Sequence, residues 1–245
     1  MSITGDADTA PLRVGYPLAD TIGGLTAAMA ICAALNAPER GTVIDVSMLE
    51  ATLATMGWVV SNYLVGGVTP QAQGNENPTS APSGAFQAAD GLLNIAANKD
   101  EQWQSLARHL GRDDLLADPD YATREHRKAN RLRLKAELET VLTTRPARDW
   151  ARELNDLGVP AGAVMSVPDI LAHPQVAGRD FLGHFDDAPG VGRPLDLVRT
   201  GFLMDGARPS VDTPPPALGQ DSDDILSALG YSADQISDLR EKGVI

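Results

Sequence analysis

A single aspartate stands where the chain enters its most apolar stretch. In "RVGYPLADTIGGLTAAMAICAAL", Asp20 follows Pro17, Leu18 and Ala19 and is followed at once by Gly23 and Gly24. Two readings compete. Aspartate is a favoured helix N-cap, so Asp20 could do no more than satisfy the free amides of the first turn. Alternatively it is a reactive carboxylate: the amides and dipole at a helix start stabilise its charge, and two glycines leave room for a bulky electrophile to approach. Other chemistries find less support. His109, His126, His173 and His184 have no ligand partner at helical spacing, so a metal site is not expected. No phosphate-binding Walker loop occurs. "GVGRPL", from Gly190, begins like a dinucleotide fingerprint but carries Pro194 and lacks a third glycine.

The 245 residues are 43% hydrophobic and 22% charged, enough chain for one or two domains with a sizeable core. The formal net charge of -13 argues against nucleic acid or an anionic membrane as a partner. It would also repel an anionic substrate unless local basic residues or another chain compensate. No uninterrupted apolar run reaches the roughly 18 residues of a membrane span. The first residues lack the features of a secretory signal. One cysteine, Cys32, excludes an internal disulfide and fits a reducing compartment, so a cytoplasmic location is expected.

The elements that must position Asp20 are apolar. Residues 20–37 read as a helix with almost no polar face, expected to be buried on nearly all sides. "TVIDVS" (Thr42 to Ser47) reads as a strand. Ser47 and Glu50 have capping-box spacing and open a second apolar helix running to about Val65. Residues 66–84, "GGVTPQAQGNENPTSAPSG", form a long loop of a kind usually functional or linking. Asp90-Gly91 then marks a hairpin between two short β-like runs. Residues 99–157 read as charged amphipathic helices, with Leu132, Leu138, Val141 and Leu142 as an apolar stripe. "AGAVMS" reads as a strand and Pro168 as the start of a short helix. Phe181 to Leu203 contributes strands, "ARPSVDTPPPALG" an extended crossing, and the tail two helices, the last capped by Ser232 and Gln235. Trp58, Trp103 and Trp150 are expected in the core, Arg127 and Asn130 in helix packing, and His173 in a turn.

"SITGDADTAPLRVGYPLADTIGGLTAAMAICAAL" followed by "RGTVIDVSMLEATLATM" resembles the class III coenzyme A transferases, the formyl-CoA and carnitine CoA-transferase (CaiB/BaiF) family. "SGAFQAADGLLNIAANKDEQWQSLARHLG", "DPDYATREHRKANR", "LNDLGVPAGAVMSVPDILAHPQV" and "LGQDSDDILSALGYSADQISDLREKGVI" continue the match in the family's order. Gly15 to Asp20 is its most specific part. The resemblance implies an α/β fold: a Rossmann-like large domain, partial here, built from both chain ends, plus a smaller middle α+β domain. The boundaries expected are 1–70 (large domain, with the nucleophile helix), 71–165 (small domain) and 166–245 (return to the large domain).

It implies transfer of coenzyme A from an acyl-CoA donor to a carboxylic acid acceptor, with Asp20 as nucleophile and no tightly bound cofactor. The intermediates are an aspartyl anhydride and an aspartyl-CoA thioester. Family members carry a glycine-rich flap where this chain reads "QGNENPTSAPSG". Gly74, Asn75, Asn77 and Gly84 are the flap and substrate candidates, the two asparagines as donors to an acyl oxygen. The resemblance also implies a missing α/β region before "SITG", so the chain is expected to be truncated or completed by another. Its partners are then a second, interlinked copy or a chain supplying the missing N-terminal half. Two alternatives stay open: a related α-methylacyl-CoA racemase, which uses an equivalent aspartate as a base, and a non-catalytic subunit or fragment.

Overall fold

The computed structural model describes residues 1–39, 41–209 and 212–245. These divide into two compact units, residues 1–164 and 165–245.

The first unit opens with a tight turn. Asp6 Oδ1 accepts from the backbone of Asp8 and Thr9 and from the Thr9 hydroxyl, at 2.7–3.1 Å. Helix α1 (Leu18–Asn36) follows. Ser47 then caps α2 (Met48–Thr55) by accepting from Glu50 N at 3.2 Å. The single helix expected to Val65 is broken at Gly57, whose φ of +51° lies in the left-handed region, and α3 (Trp58–Gly66) starts anew. Thr42–Ser47 is unpaired chain, not a strand. A strand needs a neighbour for its N–H and C=O groups, and none lies beside it among the described residues. Gly23 is where α1 meets α2: a Cβ there would stand 3.1 Å from the Met48 side chain.

The expectation that α1 is buried fails. Only Gly23 of its 19 residues is buried, and Leu25, Met29, Ile31 and Leu35 are all at least half exposed. Trp58, expected in the core, is 58% exposed. Nothing among the described residues covers these side chains. By length and mean hydropathy (1.7) α1 could cross a bilayer, because Asp20 falls in its first turn and interrupts nothing. The same composition suits a helix enclosed by protein, and its six alanines and two glycines favour close helix packing.

The core lies further along the unit. Strands β1 (Ser83–Gln87) and β2 (Leu92–Ala96) form the expected hairpin around Asp90-Gly91, and β3 (Ala161–Ala163) pairs antiparallel on the far side of β2. Five helices cover this sheet: α4 (Asp100–His109), α5 (Asp113–Ala117), α6 (Arg124–Ala129), α7 (Arg131–Leu142) and α8 (Ala147–Asp156). Phe86, Leu93, Ile95, Trp103, Leu106, Trp150, Leu154 and Val159 are buried together. Helix α7 contributes Leu134, Leu138 and Leu142, each at 0% exposure. Leu132, expected on that stripe, is exposed, because the buried positions follow i, i+4, i+8 from Leu134. Arg127 is buried and spans three segments, donating to Ala81 O, Tyr121 O and Asp100 Oδ1. Trp103 and Trp150 are core residues, as expected.

The second unit contains α9 (Val167–Leu171), α10 (Pro174–Ala177), the hairpin β4 (Leu182–Phe185) and β5 (Leu195–Val198), α11 (Ser222–Ala228) and α12 (Ala233–Glu241). His173 caps α10 through Nδ1, and Ser232 with Gln235 forms the predicted capping box. His184 pairs with Asp196 across the hairpin at 2.7 Å, and this carboxylate raises its pKa. Ser210 and Val211, within the predicted extended crossing, lie outside the described residues.

Candidate active site

Asp20 does not cap its helix. The N-cap is Pro17, no side chain caps the helix, and Asp20 lies in the first turn, exposed, its carboxylate making no hydrogen bond or ion pair among the described residues. The Thr21 hydroxyl and amide both bond to Pro17 O, which closes the first turn without help from the aspartate. A carboxylate there is free to meet a ligand while the positive end of the helix supports its charge. Of the two glycines after it, Gly23 is occupied by Met48, and only Gly24 leaves open space.

The four loop candidates form one construction beside β1. Gly74 N donates to Gly5 O at 2.7 Å, tying the loop to the N-terminal turn. Asn75 O accepts from Ala85 N at 3.1 Å, and Asn77 N donates to Ser83 O at 3.0 Å, so residues 75–77 extend the sheet edge. Gly84 is required here: at φ +149°, a Cβ would sit 2.5 Å from Asn75 O. The Asn77 side chain is spent on the turn, its Oδ1 accepting from Thr79 N and Oγ1 and its Nδ2 donating to the Ser83 hydroxyl. Asn75 differs. Neither its backbone N–H nor its carboxamide has a partner among the described residues.

Gln73, Gly74, Glu76, Pro78 and Thr79 of this loop form one wall of an open cavity of about 490 Å³, with Trp58, Val59 and Asn62 of α3 and Ile3 on other sides; Asn75, Asn77 and Gly84 are not on its wall, and Asn75 is exposed. Asp20 is not on its wall, and no hydrogen bond or ion pair among the described residues joins Asp20 to the loop. The described residues contain no cluster of His, Cys, Asp and Glu able to hold a metal ion.

Two residues of α7 that no sequence motif singled out hold the loop. Lys135 donates to Glu76 at 2.8 Å, and Arg131 donates to the carbonyls of Asn77 (2.7 Å) and Pro78 (3.4 Å). The signal was present in the sequence: Arg131 and Lys135 are one helical turn apart beside the leucine stripe.

An exposed carboxylate in the first turn of α1 is suited to acyl-group chemistry, and comparison with known proteins identifies the family. Residues 1–222 match the profile of CoA-transferase family III, and the chain belongs to this family. The succinate–glutarate CoA-transferase of Agrobacterium fabrum is 31% identical over 94% of this chain and 58% of its own length. The acetyl-CoA:oxalate CoA-transferase of Acetobacter aceti is 36% identical over 74% of the chain and 48% of its own length. A crystal structure of a CaiB/BaiF family protein from Brucella suis superposes with a TM-score of 0.79 at 32% identity, over 94% of this chain and 60% of that one. The α/β fold is thus that of the CaiB/BaiF proteins. The chain spans between about half and two thirds of the length of these relatives.

Proposed function

We propose that this chain is the nucleophile-bearing part of an enzyme that moves coenzyme A from an acyl-CoA donor to a carboxylic acid. The observation that carries the proposal is Asp20 itself: exposed, unpartnered and set in the first turn of α1, within the segment matching the family. Its carboxylate attacks the thioester carbonyl, the C–S bond breaks, and a mixed anhydride forms as CoA thiolate leaves. The thiolate then attacks the aspartyl carbonyl, giving an aspartyl-CoA thioester and releasing the donor's acid. The acceptor carboxylate repeats the two steps in reverse and regenerates Asp20. Each exchange joins groups of similar reactivity, so one difficult displacement becomes several easier ones. Asn75, with two unspent donors, is the loop residue suited to the oxygen that gains charge in each step.

Relatives named for succinate, glutarate and oxalate make short dicarboxylic acids the acceptor class to test first. Those names also favour CoA transfer over racemisation. The exposed face of α1 to α3 is suited to cover by a second copy or by a chain supplying the remaining family sequence, since soluble monomers rarely expose so large an apolar patch. On this account the purified chain is oligomeric or needs a companion, and light scattering showing a stable monomer at micromolar concentration contradicts it.

The functional test is steady-state CoA transfer from succinyl-CoA to glutarate or oxalate by the assembled enzyme. Asp20→Asn abolishes turnover on this account, whereas wild-type turnover in that variant removes Asp20 from the mechanism.

A further inference from the structure

Helix α7 carries a second stripe beside its leucines. Arg131, Lys135 and Glu139 lie at i, i+4 and i+8, on one face over three turns. Each reaches off the helix to the same sheet edge. Arg131 bonds the carbonyls of Asn77 and Pro78, Lys135 bonds the Glu76 carboxylate, and Glu139 Oε1 accepts from Gln87 N of β1 at 2.7 Å. Leu134, Leu138 and Leu142 are fully buried, so the helix cannot rotate and its polar stripe stays in register with β1. Arg131 makes no ion pair to a carboxylate among the described residues: its guanidinium bonds to the backbone carbonyls of Lys128, Asn77 and Pro78. Such bonds fix the orientation of peptide groups, which a simple charge pair would not do.

The loop is therefore held from three sides: by the N-terminal turn at Gly74, by β1 at Asn75 and Asn77, and by α7 at Glu76, Asn77 and Pro78. Within residues 74–77 every backbone N–H is spent except that of Asn75; Glu76 N bonds Gln73 O, and the other two are bonded as described above. A donor fixed in this way needs no reorganisation when charge develops beside it, which is the condition for effective electrostatic catalysis.

We propose that Arg131 and Lys135 are positioning residues for CoA transfer: they latch residues 76–78 to α7 and so hold Asn75 as a fixed hydrogen-bond donor. The proposal rests on the transferase reading above. Lys135 also lies over the Phe86 ring, 5.7 Å from its centroid, so its ammonium is steered by the sheet as well as by Glu76. Neither residue touches the reacting groups.

The test uses the active assembly with succinyl-CoA and a dicarboxylic acceptor, together with hydrogen exchange over residues 72–80. Arg131→Met/Lys135→Met is expected to lower kcat by about 100-fold, the cost of a misplacement near 1 Å. KM for succinyl-CoA should stay within about threefold, since the latch does not bind it. Exchange of the 74–80 amides should rise at least about tenfold, with the melting of the remaining core unchanged. Lys135→Arg, which keeps charge and reach, retains the wild-type values of both readouts, and Lys128→Met on α6 alters neither. If the double variant fails to fold, Lys135→Met alone carries the same two readouts. Unchanged exchange overturns the latch, and raised exchange with kcat within about twofold of wild type overturns its catalytic role. A wild-type assembly that transfers no CoA overturns the transferase reading instead, and the exchange result then still decides the latch.

Discussion

Residues 18–66 and residues 83–164 are both rich in apolar side chains, and the structure treats them in opposite ways. In the second region the apolar residues close on themselves: three strands and five helices bury Phe86, Trp103, Leu106, Leu138 and Trp150 in one core. In the first region helices α1 to α3 are also rich in large apolar residues, yet Leu25, Met29, Leu49, Trp58 and Leu64 are at least half exposed. The difference lies in periodicity. Helices α4 and α8 are amphipathic, with one face for a core and one for water, and can be completed by a single sheet. Helix α1 is apolar all round and needs cover on every side, which α2 alone does not provide.

The largest effect separates the two regions directly. Trp103→Ala removes a core residue and is expected to cost about 3–5 kcal/mol of stability. Leu64→Ala, on exposed α3, should change the stability of the chain alone by less than about 0.5 kcal/mol. Denaturant titration measures both, and equal effects would erase the distinction.

The same contrast explains what was legible in the sequence. The hairpin at Asp90-Gly91, the helices from 99 to 157, and the caps at Ser47 and Ser232 were readable because local rules determine them. Burial of α1 and Trp58 was misjudged, because an apolar pattern states a need for cover and not which chain meets it. The Thr42–Ser47 strand failed for the same reason: β propensity supplies no neighbour to pair with. Of the proposed site, Asp20 was singled out by its motif, and the loop candidates by the glycines at 74 and 84. The division of labour between Asn75 and Asn77 was not, because it depends on Thr79 and Ser83 capturing one carboxamide. Nor was the α7 latch, because contacts across more than fifty residues of sequence leave only a helical repeat of charged side chains.

Gly84→Ala tests how tightly the loop is built into the folded region. A Cβ 2.5 Å from Asn75 O, on a backbone that L side chains rarely adopt, should cost about 1–3 kcal/mol and displace residues 74–77. Thermal melting and hydrogen exchange report it, and a variant as stable and as protected as wild type would mean that the loop is not held there. A smaller effect belongs to the surface of the same region. The Arg145 guanidinium, with help from His109, pulls the Glu153 carboxyl down to about 2. A carboxylate depressed in the folded state adds stability above its ordinary range near 4.5 and loses it as pH falls toward 2. Glu153→Gln should therefore destabilise the chain at neutral pH and flatten the fall in melting temperature between about pH 4.5 and 2. An unaltered slope would show that the pair contributes nothing.

The central claim concerns one covalent bond to one carboxylate. The active assembly, incubated with succinyl-CoA alone and quenched with borohydride or hydroxylamine, is digested and its peptides are mapped by mass spectrometry. The account predicts a modified peptide spanning Arg13 to Ala37, with the mass change on Asp20 and none in the Asp20→Asn protein. An adduct on any other residue, or turnover with no adduct formed at Asp20, would contradict it.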